Sequence, residues 1–428
     1  MNISQTLDYW IDSKQTHSVA KVLFDPYSLG KLSLSVIYRL KTALTKLYTP
    51  AATTNMEADE ITRVYSGLEG KTLRLPDLRP VYAGWAAGRN KYYGRLLPVI
   101  NDYIDKYIDD EKFGKKLKAI DLAAFTSVIY PDAEWERLMT MGILCFFLFA
   151  FDDMIDKEID PDVLDFASDI DSADQFRDDT ALYIRNQLET AKSRRGSILS
   201  PQTPAQTQQL PHHKLLQSFA HVAHACTAAD PAQVNRDLLA QDLEDFFLSN
   251  GPEQKFRLSG KLATIKEYWD FRHGTGAVFI FADLAQYMAG TRLPPALTWC
   301  EEVRAMRFEM SLQPILCNDL FSLKKEMREG TASNLVPITI HEKGDSLESA
   351  VDQVVDQMYA SAERFEAAAA SCAPSLDSTT ARASGRSWSA SSPPSSRSRP
   401  AASASTWSRG GLGYCSTGGE DGSFDIPL

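Results

Sequence analysis

The segment FFLFAFDDMIDKE, residues 146–158, runs large apolar side chains directly into three aspartates within five positions. On a helix, Asp152 and Asp156 lie four apart on one face, with Asp153 beside them. Carboxylates this close repel one another unless solvent or a cation lies among them, and hard oxygen ligands suit Mg²⁺. Taken alone, the cluster also fits an acidic helix end that faces solvent.

A second oxygen-rich cluster lies in CNDLFSLKKEMREG, residues 317–330. Asn318, Ser322 and Glu326 recur at intervals of four, so on a helix an amide, a hydroxyl and a carboxylate project from one side. This trio can surround one divalent ion and leave positions for phosphate oxygens. Polar residues at this spacing also form solvated helix faces. Two such clusters, each after an apolar stretch, together favour a paired metal site.

The rest of the chain has helical rather than strand periodicity. Apolar residues recur at helical spacing, or strong helix formers dominate, in residues 95–110, 213–229, 235–250 and 351–370. No convincing run alternates as a strand would. These patterns predict an all-α single domain over residues 21–370, after an N-terminal segment of residues 1–20. The proline-punctuated stretch 192–213 is predicted to be a surface loop.

The composition changes abruptly at residue 371, where a Ser/Arg/Pro-rich tail begins and continues to residue 428. The tail lacks apolar periodicity, so it cannot bury enough surface to offset its ordering entropy. We therefore expect residues 371–428 to be disordered. The same change of composition suggests a shifted reading frame or a misjoined exon.

Composition restricts the class of protein. The 428 residues are 44% hydrophobic and carry a formal net charge of −11, which argues against nucleic-acid or anionic-membrane partners. The six cysteines form no C-x-x-C pair, as in reduced cytosolic proteins. The start lacks a signal-peptide profile, and the apolar run around Met141–Phe151 is too short to cross a bilayer. We expect a cytoplasmic monomer or homodimer.

DDMID at residues 152–156 and NDLFSLKKE at residues 318–326 together resemble the two metal-binding motifs of class I terpene synthases, D-D-x-x-D/E and N-D-x-x-S-x-x-x-E. The second motif is specific, because the related isoprenyl diphosphate synthases carry another aspartate-rich motif there. Motif order and separation look like those of fungal sesquiterpene cyclases, over roughly residues 76–336. The resemblance implies the single-domain class I terpenoid synthase fold, a helical bundle around a central active-site cavity.

The resemblance also implies a ligand set for Mg²⁺, with three ions bound together with diphosphate. Asp152 matches the leading metal ligand of the first motif. Asp153 and Asp156 match its other acidic positions, as ligands or hydrogen-bonding partners. Asn318, Ser322 and Glu326 match the ligands of a further ion.

Four more residues match family positions around the diphosphate. Arg272, in YWDFRHGTGAV, lies about where the family keeps its diphosphate-sensing arginine, and Lys325 matches a basic residue that contacts diphosphate. Thr275 and Gly276 then fall on the linker and effector positions proposed to trigger ionisation. Asn334 also looks family-like, but it receives no chemical role.

An allylic diphosphate leaves only if its charge is neutralised, and the carbocation that remains needs a dry apolar pocket. Phe149, one turn before Asp152, is the candidate to line that pocket. Ordinary core packing is expected for Phe146, Phe147 and Phe151.

A second cluster of potential ligands, His221, His224 and Cys226, does not match a standard zinc spacing. A helix with half-buried histidines explains it better.

The resemblance implies a Mg²⁺-dependent cyclase that converts farnesyl diphosphate to a sesquiterpene. Three alternatives stay open: a diterpene cyclase that uses geranylgeranyl diphosphate, a prenyl-chain-elongating synthase, and a catalytically dead homologue. The last arises because the family closes its pocket with a C-terminal Arg-Tyr pair. That dipeptide is absent from this sequence, and Arg409 and Tyr414 are the nearest approach.

Overall fold

The computed structural model describes residues 60–82, 85, 88–156, 166, 169–188, 214–229, 234–291, 293, 295–298, 300–331, 333–384 and 423–428. All of them fall within one compact unit, Glu57–Leu428. The predicted segment 1–20, the domain boundary at residue 21 and the predicted loop 192–213 lie outside the described residues.

Helices dominate the described part of the chain, as the periodicity predicts. In chain order they are α1 (Glu60–Ser66), α2 (Tyr93–Tyr107), α3 (Glu111–Ile120), α4 (Leu122–Ile129), α5 (Trp135–Asp156), α6 (Ile170–Leu188), α7 (Lys214–Ser218), α8 (Ala220–Ala229), α9 (Val234–Ser259), α10 (Ile265–Thr275), α11 (Val278–Asp283), α12 (Ala285–Ala289), α13 (Pro295–Thr298), α14 (Glu301–Glu329), α15 (Leu335–Lys343) and α16 (Leu347–Ser384). A 3₁₀ turn spans Arg79–Tyr82. The fold is all-α, as expected.

One small β-ribbon interrupts the helical pattern. Strand β1 (Thr72–Leu75) pairs antiparallel with β2 (Phe424–Pro427), and Leu73 lies opposite Ile426. Alternate side chains of β1 are buried, so its four residues follow the period of two that a half-buried strand requires. A strand this short carries too little pattern to be recognised from sequence.

The expectation of a disordered tail from residue 371 is wrong at two places. Helix α16 continues through residue 384, because each added helical residue gains a hydrogen bond once the alanine-rich part has nucleated. Residues 424–427 form β2, and Ile426 is buried against the core. The hypothesis of a shifted reading frame stays a prediction.

Helix α5 is apolar on nearly every side and lies in the core, as such helices do in globular proteins. Residues Trp135–Ile155 are long and apolar enough to span a membrane by length and composition alone, which the sequence analysis did not expect of any segment. In the structure 78% of the apolar window is buried against other parts of the chain.

Two hydrophobic clusters hold the helices together. The first surrounds α5 and includes residues of α2, α6, α8 and α9. The second joins α10, α14, α15 and α16 with both strands. The first predicted metal motif therefore lies on a helix of one cluster, and the second motif lies on a helix of the other.

Candidate active site

Helix α10 carries the predicted diphosphate-sensing arginine and is closed at both ends by local chemistry. Thr264 and Glu267 form a capping box at its start, where each side chain accepts the backbone N–H of the other. The helix ends at Thr275. Ala277 has a φ of 55°, and α11 begins at the next residue. This left-handed residue bends the chain directly after Thr275 and Gly276.

Gly276 is required at this bend by close packing. A Cβ there would lie 2.9 Å from the Ile315 side chain and 3.0 Å from the carbonyl oxygen of Arg272. Thr275 beside it is buried, and its hydroxyl oxygen has no hydrogen-bond partner among the described residues. The predicted linker and effector therefore lie in a tightly packed bend between α10 and α14.

Arg272 lies against α14 at the start of the second motif. Its Nη2 donates to Oδ1 of Asn318 at 2.8 Å and to Oδ1 of Asp319 at 3.2 Å. The Arg272 side chain is only 13% exposed, and its buried Nε has no partner among the described residues. The structure thus brings the predicted arginine and the first predicted ligand of the second motif into direct contact.

Asp319 is a central residue that the sequence analysis missed. Its carboxylate is fully buried and accepts hydrogen bonds from Tyr268 Oη at 2.7 Å, Leu335 N at 2.6 Å and Arg272. Burial raises the pKa of Asp319, while the charge of Arg272 opposes that rise. Its place directly after Asn318, inside the second motif, was the available signal.

Ser322 and Glu326 lie one and two turns after Asn318 on α14, as predicted. The Ser322 hydroxyl is buried and has no partner in ordinary hydrogen-bond geometry among the described residues, although it lies close enough to Glu326 to favour the charged carboxylate. Asn334 Nδ2 donates to Glu326 Oε2 at 2.6 Å. Burial raises the pKa of Glu326 to about 7.

This donor set fits a divalent cation. A buried hydroxyl oxygen without a partner and a desolvated carboxylate both gain from a hard cation, which accepts neutral and charged oxygen ligands. In the described part of the chain, no group of three or more His, Cys, Asp and Glu side chains could hold a metal by itself. The candidate ligands on α14 include an amide and a hydroxyl, which lie outside that set of residue types.

Lys325 is half-buried on the same helix. Its Nζ lies 3.8 Å from Oε2 of Glu329, one turn later. An ion pair at this distance on a partly exposed helix surface is weak. Lys325 can therefore exchange Glu329 for another anion at little energetic cost.

The aspartates of the first motif lie at the C-terminal end of α5. Asp152 is half-buried, and Asp153 is 9% exposed and forms an ion pair with Lys116 Nζ at 2.8 Å. The side chain of Asp156 lies outside the described residues. The resemblance allows Asp153 to be either a metal ligand or a hydrogen-bonding partner. In this structure its carboxylate is paired with the ammonium group of Lys116.

Helix α9 connects the regions of the two motifs. Arg257 Nη2 donates to the carbonyl oxygen of Ile155 at the end of α5, at 3.4 Å. Glu253, one turn earlier, lies near enough to Arg272 to favour its charged form. The C-terminal half of α9 thus contacts α5 and lies close to the arginine on α10.

The phenylalanines before the first motif differ in burial, and the core packing expected for three of them is confirmed. Phe146, Phe147 and Phe151 are fully buried, whereas Phe149 is partly buried and its ring packs edge-on against Phe125, with centroids 5.4 Å apart. The Phe125 ring in turn packs against the Phe281 ring on α11, with centroids 6.0 Å apart. Of the four phenylalanines, Phe149 is therefore the one that the core does not bury completely.

The prediction of half-buried histidines on α8 is confirmed for His221 but is wrong for His224. His221 lies 3.3 Å from the hydroxyl of Thr140, and burial lowers the pKa of this histidine. His224 is exposed and Cys226 is buried, so the two side chains lie in different environments.

A known protein family matches the part of the chain that contains the candidate site. The model of terpene synthase family 2, C-terminal metal binding, matches residues 144–364, which is more than half of the chain. The matched region includes both motifs and Arg272.

Known proteins give the same result. Sesquiterpene cyclase hepA from Aspergillus oryzae is 25% identical over 68% of this chain and 76% of its own length. Sesquiterpene synthase Agr1 from Cyclocybe aegerita is 22% identical over 69% of this chain and 77% of its own length. The crystal structure of germacradien-4-ol synthase from Streptomyces citricolor shares the fold, with a TM-score of 0.53, 17% identity and coverage of 77% of this chain and 91% of that one. The chain therefore belongs to the class I terpene synthases, in the family whose C-terminal part binds metal.

Proposed function

We propose that this terpene synthase is a Mg²⁺-dependent sesquiterpene cyclase that ionises farnesyl diphosphate and cyclises the resulting carbocation. The relatives hepA and Agr1 are named as a sesquiterpene cyclase and a sesquiterpene synthase, which supports the choice of a fifteen-carbon substrate. The observation that carries the proposal is the 2.8 Å contact between Arg272 and Asn318. It joins a cationic donor to the helix face that bears Ser322 and Glu326.

The metal site has two halves. Asn318, Ser322 and Glu326 would hold one Mg²⁺, and Asp152 leads the group that would hold the others of a three-ion set. When bound, Mg²⁺ supplies Lewis-acid neutralisation of the charge that develops on diphosphate.

Arg272 and Lys325 contribute to diphosphate recognition. Each would donate charge-assisted hydrogen bonds to phosphate oxygens, worth about 1.5–3 kcal/mol apiece. The Nε of Arg272 has no acceptor among the described residues, and Lys325 has only a distant ion pair with Glu329. Thr275 and Gly276, in the bend that follows Arg272, take the linker and effector roles.

The carbocation would be stabilised by the ring of Phe149. A desolvated aromatic face attracts a cation by about 2 kcal/mol. The fully buried phenylalanines on the same helix would help to keep water out of this region, so that the cation is not quenched prematurely.

The test is to incubate the purified full-length chain with Mg²⁺ and farnesyl diphosphate, and to analyse volatile products by mass spectrometry. A cyclic fifteen-carbon product is expected. Geranylgeranyl diphosphate in a parallel reaction tests the diterpene alternative. Added isopentenyl diphosphate tests chain elongation, which would yield longer linear diphosphates.

Two serine variants on α14 test the metal assignment, one at a predicted ligand and one as its matched control. Ser322→Ala should lower turnover at least about 100-fold, since even outer partners of a metal are worth 10–100-fold. Ser311→Ala removes a buried hydroxyl whose partners in the described part of the chain are Phe308 O and the His273 ring, and it should leave turnover intact. Equal activity of the two variants would contradict the metal assignment. An inactive wild type that gains activity when given a family-like C-terminus would indicate a dead homologue.

A further inference from the structure

Asp319 lies where the hydrogen bonds around Arg272 converge. Its carboxylate is fully buried, and three donors surround it. Oδ1 accepts from Arg272, while Oδ2 accepts from the Tyr268 hydroxyl and from the backbone N–H of Leu335. These donors come from α10 and from the start of α15, so Asp319 fixes both helices to α14.

The backbone of Asp319 extends the same network to the other end of the second motif. Asn334 Nδ2 donates to the Asp319 carbonyl oxygen at 2.7 Å and to Glu326 Oε2 at 2.6 Å. Oδ1 of Asn334 accepts from Val336 N at 2.9 Å and so caps α15. The orientation of Glu326 is thereby coupled to the region around Asp319.

Among the described residues, one nitrogen atom of Arg272, Nη2, makes its hydrogen bonds to the protein. Both of its hydrogen bonds in the described part of the chain come from Nη2, to Asn318 and Asp319. A guanidinium is a rigid planar fork with five N–H donors. Fixing Nη2 on the protein therefore determines the direction in which Nε and Nη1 point.

We propose that Asp319 is a positioning residue that orients the Arg272 guanidinium for donation to diphosphate and compensates its buried charge. The inference rests on the proposed function, because it presumes that Arg272 binds diphosphate. Asp319 itself touches no substrate in this proposal and acts through Arg272.

Removal of the Asp319 carboxylate should change diphosphate affinity in opposite directions, depending on whether Asp319 positions Arg272 or merely repels the anion. A carboxylate near a diphosphate site repels the anion, so on charge alone its removal would strengthen diphosphate binding. If Asp319 orients Arg272, its removal weakens binding instead, because the arginine loses its direction.

The experiment measures binding of inorganic diphosphate at saturating Mg²⁺ by calorimetry, for the wild type and Asp319→Asn. The asparagine keeps the shape but presents an amide where three donors need an acceptor. We expect diphosphate binding to weaken about tenfold or more, the value of one charge-assisted hydrogen bond. The kcat for the prenyl substrate should fall along with it.

A buried carboxylate elsewhere on α14, paired with an exposed arginine of α16, provides the matched control. Glu309 accepts from Arg364 Nε at 2.6 Å and Nη2 at 2.8 Å, and it is buried like Asp319, with 7% of its surface exposed. Glu309→Gln removes the same charge from the same helix without touching Arg272. It should lower the melting temperature but leave diphosphate affinity unchanged. Equal losses of affinity in the two variants would overturn the inference, since they would reflect general destabilisation.

A double-mutant cycle tests whether Asp319 acts through Arg272. Arg272→Gln alone should weaken diphosphate binding, and adding Asp319→Asn to it should cause no further loss. Asp319→Asn alone leaves the buried charge of Arg272 without its carboxylate, and this variant could fail to fold. The double variant has lost both charges, so it keeps the test usable in that case. If Asp319→Asn weakens diphosphate binding as much in the Arg272→Gln background as in the wild type, the inference about Asp319 is overturned, but the proposed function is not. A wild type that binds no magnesium diphosphate overturns the proposed function itself.

Discussion

At the scale of single residues, the bend after α10 depends on Gly276. The space that a Cβ would need is occupied by Ile315 of α14 and by the carbonyl oxygen of Arg272. The bend itself uses a left-handed Ala277, a conformation that costs an ordinary residue about 1–2 kcal/mol. The packing of α10 against α14 thus fixes the backbone immediately beside the candidate diphosphate arginine.

Gly276→Ala should therefore lower the free energy of unfolding by about 1–3 kcal/mol, as overpacking does, and reduce kcat. Urea unfolding and steady-state kinetics measure the two effects. The loss caused by Gly276→Ala should be smaller when it is measured in an Ile315→Ala background, because the shortened side chain leaves room for the new Cβ. The control is Gly94→Ala in α2, where no atom lies within 4 Å of the new Cβ. Equal effects at both glycines would contradict the packing argument.

At the scale of elements, three helices meet at a layer of buried charge. Arg307 on α14 donates from Nε to Oδ1 of Asp283 on α11 at 2.9 Å, and also pairs with Asp242 on α9. Asp245 lies one turn after Asp242. Burial, followed by the charge of Asp242, raises the pKa of Asp245 to about 7, against the opposing charges of Arg307 and Arg185. The layer holds more carboxylates than its cations neutralise.

This layer predicts a pH dependence of stability. The pKa of Asp245 is raised in the folded state, so its contribution is fully present below its ordinary pKa of 3.8 and is lost as pH rises to about 7. Asp245→Asn removes the titration. The melting temperature of the Asp245→Asn variant, minus that of the wild type, should therefore increase as the pH rises from 5 to 8. Thermal melts across that range measure this difference. A difference that does not change with pH would contradict the prediction.

At the scale of the whole molecule, the last residues of the chain return to the helix of the second motif. Lys324 on α14 donates to the carbonyl oxygen of Pro427, and the ring of Phe424 packs against Phe321. Ile426 is only 4% exposed within the second hydrophobic cluster. The C-terminal strand therefore packs against α14 at Phe321 and Lys324, although residues 385–422, which precede it, lie outside the described residues.

Ile426→Ala should lower the free energy of unfolding by about 2–4 kcal/mol, as expected for truncation of a buried aliphatic side chain. The comparison is Asp425→Ala, which removes an exposed ion pair with Arg74 and should cost less than about 1 kcal/mol. Urea denaturation of both variants measures the difference. Indistinguishable losses would show that β2 contributes no buried packing in solution.

The sequence by itself determined the helical class and both oxygen-ligand motifs. Asp152, Asn318, Ser322 and Glu326 were accessible because helical spacing is local, so residues four apart share a face whatever the helix packs against. Arg272 was accessible only through the resemblance to a family.

Only the tertiary structure decided how these groups are held. The role of Asp319 depends on donors from Tyr268, Arg272 and Leu335, which chain packing brings together from different elements. The pairing of β2 with β1 likewise joins segments more than 300 residues apart, and four residues carry too weak a pattern to predict it. Local periodicity encodes which residues share a face, whereas the partner of a buried polar group is set by which faces meet.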